Sequence, residues 1–462
     1  MKTKRIAFGF LILSLLSCNY VTQVFVPPTP TPIPTFTPTV TASPAPTPTA
    51  TPITPVYIPP ECEAQPYPTL SPDFDIQPPA EFETEEISKR TQLEILNNIE
   101  QLFEEVYVYP DYNGKDWNGI VARYRALVDG GITTDQFYFE MQNMINELED
   151  DHSAFISPVG VQQTDAELRG ELEYVGVGIY SEVDFERGRL VVISTFPGSP
   201  AEYSGIQSHD SILFVDGLPI TRESGIRTLG PKCTSVVVTV QSPGESPRDV
   251  MLIRSSIDGS IPIDARNVPT ADGSNIGYIF IPSFFDETLP PQIEGALQEF
   301  GQLDGLILDL RQNGGGSNTV AYPILSFFTE GKLGDFISRT ESHALFLEAN
   351  PIHNSQTVPL VIMVSEDTVS FGELFSGVLR DVRGAKITGE TSLGNVEVLH
   401  GYDFEDGSVV WIASERFDSD FSDDDWEAIG IIPDLEAHAE WDTFYFDTDP
   451  AISAALELLG QH

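Results

Sequence analysis

One serine of this sequence, Ser370, stands where a hydroxyl could act as a nucleophile. The apolar run Leu360–Val364 has the length and β-branched content of a buried strand, and a helix with apolar residues at helical spacing follows it. At such a strand-to-helix corner a side chain can stand clear of the sheet, beside the first free N–H groups of the helix. The position favours nucleophilic chemistry, although a serine there also fits a plain helix N-cap.

A glycine-rich loop after another predicted strand could supply the N–H groups that a nucleophile needs. Residues 309–317 read DLRQNGGGS. Successive glycines let a backbone approach a ligand closely and turn its N–H groups inward. A phosphate cradle is the alternative, but the lysine and hydroxyl of a P-loop are absent. We therefore favour an oxyanion hole, with one N–H from this loop and one from the residue after the nucleophile.

A candidate general base, His152, follows the last helix predicted in the N-terminal part of the chain. It lies in the run EDDHSAF, more than two hundred residues before Ser370. Histidine often transfers protons in catalysis. A histidine at the end of a helix is also often a capping or surface residue, so position alone does not decide its role.

Three regions of secondary structure must position these residues. Periodicity predicts helices at 87–106, 117–128 and 134–148, and then a β-rich stretch at 171–255. From about residue 261 strands alternate with helices, which predicts an α/β core with a mostly parallel sheet. Chemistry in such sheets collects beyond the carboxyl ends of the strands, where the loop after Leu310 and the Ser370 corner both fall.

The charge of the chain excludes some classes of partner. With 24 Lys and Arg against 70 Asp and Glu, the 462 residues carry a formal charge of −46, which disfavours nucleic acid and anionic lipid surfaces. A 41% hydrophobic content and this length allow two or three domains with a real core. We find no metal-ligand spacing and no nucleotide fingerprint, so we expect no metal and no cofactor.

The N-terminus reads as a targeting segment. Residues 1–18 combine a basic start with a short apolar stretch and end at Cys18 in a sequence, LLSC, that resembles a bacterial lipobox. We predict a lipoprotein signal peptide with Cys18 lipidated; because Leu16 is bulky for this pattern, ordinary signal-peptidase cleavage is the alternative. Residues 19–83 form a linker with a Pro/Thr-rich stalk. Whether the two remaining cysteines, Cys62 and Cys233, pair is left open.

The β-rich stretch, residues 171–257, resembles a PDZ domain in the order of its elements. PDZ domains bind C-terminal peptides by adding them to a sheet edge, with backbone N–H groups holding the carboxylate. The resemblance implies that the loop from Val175 to Ile179 binds the peptide, through Val175, Gly176, Val177, Gly178 and Ile179.

Three motifs, taken in their order along the chain, indicate a resemblance that extends beyond the PDZ-like stretch. DLRQNGGGS, SEDTVSFGE and the closing EAIGIIPD (residues 427–434) are similar to those of the S41-type serine peptidases, the carboxy-terminal processing and tricorn-core proteases. The resemblance implies a multidomain α/β protein: an N-terminal helical domain at 84–160, the PDZ domain, and a ClpP/crotonase-like peptidase core at 258–462. It also implies Ser370 as nucleophile and an oxyanion hole from the amides of Phe371 and of Gly314 or Gly315.

The sequence departs from the motifs of the processing proteases at the position of the general base. The processing-protease branch uses a lysine where this sequence has Asn395, and an asparagine cannot take a proton from serine. The tricorn-like branch uses a histidine and a glutamate, and His152 and Glu427 match them. The resemblance leaves open whether Glu427 or Asp151 orients the histidine; among several acidic neighbours, Glu427 could also be a solvated loop carboxylate.

We therefore predict an extracytoplasmic, membrane-anchored serine endopeptidase of the bacterial cell surface or periplasm. It would cleave unfolded or C-terminally exposed polypeptides with a Ser-His(-Glu) site. The alternative is a non-catalytic cell-surface protein that binds peptides or ligands on the same fold. Esterase or amidase activity on a small molecule ranks last, because it leaves the PDZ module unexplained.

Overall fold

The structure is a computed structural model that describes residues 4–6, 56–64, 66–71, 85–150, 152–162, 174–221, 225–257 and 263–460. Most of the predicted signal peptide with Cys18, much of the linker, and Asp151 lie outside these ranges. Within them, no helix combines the length and the apolar character needed to cross a bilayer.

The N-terminal part contains three packed helices between two short strands. Its elements are β1 (Lys4–Ile6), α1 (Lys89–Val106), α2 (Trp117–Gly130), α3 (Thr134–Asn146) and β2 (Ala154–Ile156). Side chains cap the helix starts, as where Thr133 and Gln136 form a capping box at α3. The apolar helix faces share one core with a strand of the C-terminal part, residues 409–413, and β2 pairs with that strand. This pairing places the loop between α3 and β2, with His152, against the C-terminal part.

Residues 174–257 contain an antiparallel sheet with an apolar core, and this stretch is here called the β module. Its elements are β3 (Val175–Gly176), β4 (Ile179–Asp184), β5 (Arg189–Thr195), α4 (Pro200–Tyr203), β6 (Ser211–Val215), β7 (Leu218–Pro219), β8 (Ser235–Gln241), β9 (Arg248–Ile253) and β10 (Ser255–Ser256). The sheet order is β4-β5-β6-β8-β9, all antiparallel, with β7 beside β6. Alternate residues of these strands bury an apolar core, as the strand period requires.

A disulfide holds the segment before α1 to the β module. Cys62 and Cys233, whose pairing the sequence left open, are bonded, with their Cα atoms 5.3 Å apart. The Ser235 amide also donates to the carbonyl of Pro68 (3.1 Å). Residues 66–71 therefore lie along the start of β8.

The C-terminal part alternates strands and helices. Its strands are β11 (Asp264–Val268), β12 (Ile276–Phe280), β13 (Gly305–Asp309), β14 (Gly331–Ile337), β15 (Ser342–Leu347), β16 (Leu360–Val364), β17 (Lys386–Gly389), β18 (Val398–Asp403), β19 (Val409–Ser419) and β20 (Leu435–Glu436). Its helices are α5 (Leu289–Phe300), α6 (Asn318–Ser326), α7 (Phe371–Arg383), α8 (Trp426–Ile429) and α9 (Pro450–Leu458).

The strands of this part belong to two sheets. One has the order β11-β12-β13-β16-β17-β20, with β11 antiparallel to β12 and the other pairings parallel. The other has the order β1-β18-β19-β14-β15, with β2 added to β19. Strands β12, β13 and β16 are buried along their whole length, as expected when both faces are covered. The predicted mixed α/β architecture is confirmed.

Candidate active site

Ser370 lies at the corner between β16 and α7, in a backbone conformation that is rare for serine. It occupies the N-cap position of α7 with φ 57° and ψ −122°. Positive φ is uncommon for residues other than glycine, and such residues cluster at active sites and ligand clamps. The Ser370 amide donates to the carbonyl of Asn395 (2.8 Å), which fixes the corner against the loop before β18.

The glycine-rich loop packs directly on this corner. The Val369 amide donates to the carbonyl of Asn313 (3.0 Å). A Cβ on Gly315 would lie 2.7 Å from the Cβ of Ser370, closer than real contacts allow, so only glycine fits there. The two loops proposed to form an oxyanion hole are therefore neighbours.

Of the predicted oxyanion donors, Gly315 already donates its amide hydrogen to another group. It donates to Oδ1 of Asn313 (2.9 Å), a side chain that donates in turn to the carbonyl of Ile281 (3.0 Å). In the described part of the chain, the amides of Gly314 and Phe371 have no hydrogen-bond acceptor. Gly314 and Phe371 thus remain the candidate donors.

Glu373, in the first turn of α7, organises the loop that faces Ser370. Its buried carboxylate accepts from Ser392 Oγ (2.5 Å) and from the amides of Gly394 (2.7 Å), Asn395 (2.8 Å) and Ser370 (3.2 Å). Burial raises the pKa of Glu373. This set of contacts holds residues 392–395 in place beside the corner.

His152 contacts a carboxylate that sequence reasoning missed. Its Nδ1 atom lies 3.0 Å from Oε2 of Glu397, and Tyr109 donates its hydroxyl hydrogen to Oε1 of the same carboxylate (2.7 Å). The backbone of His152 is fixed as well, because its amide and that of Ser153 donate to Oδ1 of Asp150 (3.2 and 2.8 Å). Glu397 is nearly fully buried, at 4% exposed.

Glu427, expected to orient the histidine, instead adjoins Glu397. Its Oε2 accepts from the Val396 amide (2.7 Å), and its carboxyl hydrogen-bonds to that of Glu397. Burial, next the hydrogen bond to Glu397 and then the charge of Glu397 raise the pKa of Glu427 to about 10. Against the effect of burial, hydrogen bonds from His152 and Glu427 lower the pKa of Glu397. One proton is thus held between two carboxyl groups, on the Glu427 side.

Residues 395–397 contact both the serine and the histidine. The Asn395 carbonyl binds the Ser370 amide, and the Glu397 side chain binds His152. Two residues of chain span at most about 7 Å. The structure therefore brings Ser370, His152, Glu397 and Glu427 into one region. The ammonium of Lys386, close in sequence, pairs instead with Asp434 (2.8 Å) at the edge of the sheet.

Asp151, the other predicted partner of His152, lies outside the described residues. The five residues predicted to bind a peptide lie in the β module. Val175 and Gly176 form β3, and Ile179 begins β4; the Val177 amide donates to the carbonyl of Thr228 (3.1 Å). Their role in peptide binding stays a prediction. In the described ranges no cluster of His, Cys, Asp or Glu could hold a metal ion.

A sequence signal for Glu397 existed but was weak. It is an acid between two valines immediately before β18, where a carboxylate needs a partner if it is to be buried. The partner, His152, is more than two hundred residues away, so only the tertiary structure identifies it.

Comparisons with known proteins agree with the motifs. Residues 275–437 match the model of peptidase family S41. The chain is 27% identical over 372 residues to a carboxyl-terminal-processing protease of Synechocystis sp., covering 78% of this chain and 84% of that protein. A second such protease, of Picosynechococcus sp., is 28% identical over 369 residues, covering 77% and 86%.

A solved structure shares the fold. A photosystem II D1 C-terminal processing protease superposes with a TM-score of 0.52 at 24% identity, covering 76% of this chain and 93% of that one. The fold and the coarse prediction of a peptidase are confirmed. Residues 275–437 of this chain are similar to peptidase family S41, as its motifs predicted.

Proposed function

We propose that this protein is an extracytoplasmic serine endopeptidase in which Ser370 is the nucleophile and His152 the general base. The observation that carries the proposal is the contact between Nδ1 of His152 and Glu397, beside a serine held at positive φ at the start of a helix. Asn395 at the lysine position of the processing proteases supports a histidine rather than a lysine as base.

The proton steps follow from this contact. With the Nδ1 hydrogen donated to Glu397, the Nε2 atom is free of hydrogen and can accept the Ser370 hydroxyl proton. The serine oxygen then bonds to the scissile carbonyl carbon, whose π electrons move to the oxygen. The tetrahedral intermediate collapses, the amine leaves with the proton from Nε2, and water hydrolyses the acyl-enzyme by the same steps.

The developing oxyanion needs preorganised donors. The amides of Gly314 and Phe371 suit this role because neither has an acceptor within the described ranges and both belong to the two loops that meet at Ser370. Losing one such donor typically costs about 10²–10³ in kcat.

The substrates would be unfolded or C-terminally exposed polypeptides. This proposal is supported by the similarity to carboxyl-terminal-processing proteases and by the β module, whose loop at 175–179 would bind the peptide. The signal sequence and Cys18 support an extracytoplasmic, lipid-anchored protein.

Replacing the nucleophile and the base tests the proposal. Ser370→Ala and His152→Ala should each abolish cleavage of a denatured protein without changing the circular dichroism spectrum. A fluorophosphonate probe should label wild-type Ser370. A folded protein that reacts with no probe and cleaves no polypeptide would identify a non-catalytic binding protein instead.

A further inference from the structure

The segment that follows α1 places a tyrosine hydroxyl on the carboxylate that contacts the histidine. Tyr109 donates to Oε1 of Glu397 (2.7 Å), and Oε2 of the same carboxylate lies 3.0 Å from Nδ1 of His152. Because Glu397 is only 4% exposed, water cannot take the place of these donors. Two segments of the N-terminal part thus bind the two oxygens of one buried carboxylate.

A single residue of β19, Ala413, holds the three segments together. Its carbonyl accepts from the amide of Val108, the residue before the tyrosine (2.9 Å). Its amide donates to Oγ of Ser153, the residue after the histidine (3.0 Å). Its partner across the sheet is Leu399, which lies two residues after the glutamate. The hydroxyl, the imidazole and the carboxylate are therefore all positioned from one point of the backbone.

The donors around Glu397 and Glu427, which share one proton, are unequal. Glu397 accepts from the Tyr109 hydroxyl and from the imidazole, whereas Glu427 accepts from the Val396 amide (2.7 Å). Among the described residues no lysine or arginine forms an ion pair with either carboxyl. Because a donor stabilises the ionised form of the carboxyl that it contacts, the tyrosine favours a charge on Glu397.

Loss of this hydroxyl would change the protonation of the two carboxyls. Against the effect of burial, hydrogen bonds from His152, Glu427 and Tyr109 lower the pKa of Glu397. Burial, and then the charge of Glu397, raise the pKa of Tyr109, so the hydroxyl keeps its hydrogen and remains a donor. Without it the shared proton would move toward Glu397. A neutral Glu397 can donate to Nδ1, which leaves the imidazole hydrogen on Nε2, where it blocks proton transfer from serine.

We propose that Tyr109 is a positioning residue that keeps the negative charge of the two carboxyls on Glu397, the one that contacts His152. The proposal rests on the proposed peptidase function, because the charge serves to hold the general base in its tautomer and to stabilise the imidazolium. Tyr109 acts on the reaction through Glu397 alone.

The first test reads the tautomer without cleavage. The full chain carrying Ser370→Ala is labelled with ¹⁵N-histidine, and the shifts of both ring nitrogens of His152 are measured in mildly alkaline solution, where an imidazole is neutral. The hydrogen should lie on Nδ1. Adding Tyr109→Phe should populate the other tautomer, which moves both nitrogen shifts. Identical shifts with and without Tyr109→Phe would overturn the proposal.

The second test uses steady-state kinetics of the chain with Ser370 intact. Tyr109→Phe should lower kcat about tenfold to a hundredfold with little change in KM, the order of one hydrogen bond to a charged group. In a Glu397→Gln background it should add no further loss, because it acts through that carboxylate. In a Glu427→Gln background its effect should shrink, because an amide has no carboxyl proton to give to Glu397. Undiminished losses in both backgrounds would show that the hydroxyl does not act through the carboxyls.

Tyr138→Phe is the matched control. It removes a tyrosine hydrogen bond to Asp406 (2.8 Å) that likewise joins the helical part to the C-terminal part. It should leave kcat and the His152 ring shifts unchanged. If Tyr138→Phe alters both as much as Tyr109→Phe does, loosening of the fold explains the effect and the role of Tyr109 is wrong.

The peptidase function is judged separately. Protein that cleaves polypeptides equally fast with and without Tyr109→Phe refutes the role of Tyr109 alone. Protein that cleaves none, while Tyr109→Phe moves the His152 ring shifts as expected, refutes the proposed function and leaves the placement of the charge supported.

Discussion

His152 and Glu397, 245 residues apart in the chain, meet with Nδ1 3.0 Å from Oε2. The histidine comes from the loop between α3 and β2, and the glutamate from the residue before β18. A carboxylate at Nδ1 holds an imidazole in the tautomer whose Nε2 can accept a proton and stabilises the imidazolium that results. This contact makes Glu397 a candidate for orienting the base.

Glu397→Gln should lower kcat by roughly 10²–10⁴ with little change in KM, because an amide cannot stabilise the imidazolium and can hold the wrong tautomer. Steady-state kinetics on a quenched peptide measure the effect. Glu390→Gln is the matched control, since Glu390 contacts a surface histidine, His438. A Glu397→Gln enzyme with wild-type kcat would show that Glu397 does not orient the base.

Glu427 should make stability depend on pH. Its pKa is raised from 4.5 to about 10 by burial and then by Glu397, so between these values the folded state binds a proton that the unfolded state releases. The free energy of unfolding therefore falls as the pH rises, by at most about 1.4 kcal/mol per pH unit for one group.

Glu427→Gln removes this titration while keeping a hydrogen-bond donor for Glu397. Urea denaturation between pH 5 and pH 9 should show the variant gaining stability relative to wild type as the pH rises. Parallel curves for the two proteins would mean that Glu427 is ionised in the folded protein.

The ionisation of Glu182, in β4, should weaken the packing of the β module as the pH rises. Burial, and then the charge of Asp367 in the loop before Ser370, raise the pKa of Glu182 from 4.5 to about 8. Since this pKa is raised above its unfolded value, the stabilisation is complete below about pH 4.5 and is lost as the pH rises through 8.

Hydrogen exchange of β4, corrected for intrinsic rates, should therefore increase between pH 6 and pH 8, and less so in Glu182→Gln. Glu186→Gln, at an exposed site after β4, is the control. Exchange in β4 that is independent of pH in the wild type would contradict this prediction.

Gly315→Ala should impair catalysis more than folding. The added Cβ would meet Ser370 Cβ at 2.7 Å and the Val369 carbonyl oxygen at 3.0 Å, at a φ of +89° that alanine rarely adopts. We expect at least a tenfold loss of kcat/KM, since small misplacements of a reacting group are costly. Gly295→Ala in α5, where no atom lies within 4 Å, should keep wild-type kinetics.

Removing the disulfide should destabilise the β module. Cys62→Ser with Cys233→Ser should cost about 2–4 kcal/mol, because the bond restricts the unfolded chain over a separation of 171 residues. Thermal unfolding with and without reductant measures the loss. Reductant should lower the Tm of the wild type and leave that of the double variant unchanged; equal Tm values without reductant would show that the bond contributes nothing.

Local patterns were enough to predict much of this protein. Apolar periodicity located the strand Leu360–Val364 with the bounds that the structure has, and the helices at 87–106, 117–128 and 134–148 to within about two residues at each end. These elements are determined by neighbours in the chain, through side-chain spacing and burial. The motifs around Ser370 and Gly314 likewise predicted the family.

Only the tertiary structure determined which ionisable side chains contact each other. The sequence offered Glu427 and Asp151 as partners of His152. Among the described residues, which leave out Asp151, Glu397 contacts the His152 ring, because the pairing of β2 with β19 brings the histidine loop to the start of β18. The protonation of Glu427 depends on the same fold, since an isolated glutamate is ionised at neutral pH and only burial beside a second carboxylate retains its proton. Residue type determined what chemistry was available, and packing between distant segments determined where it could occur.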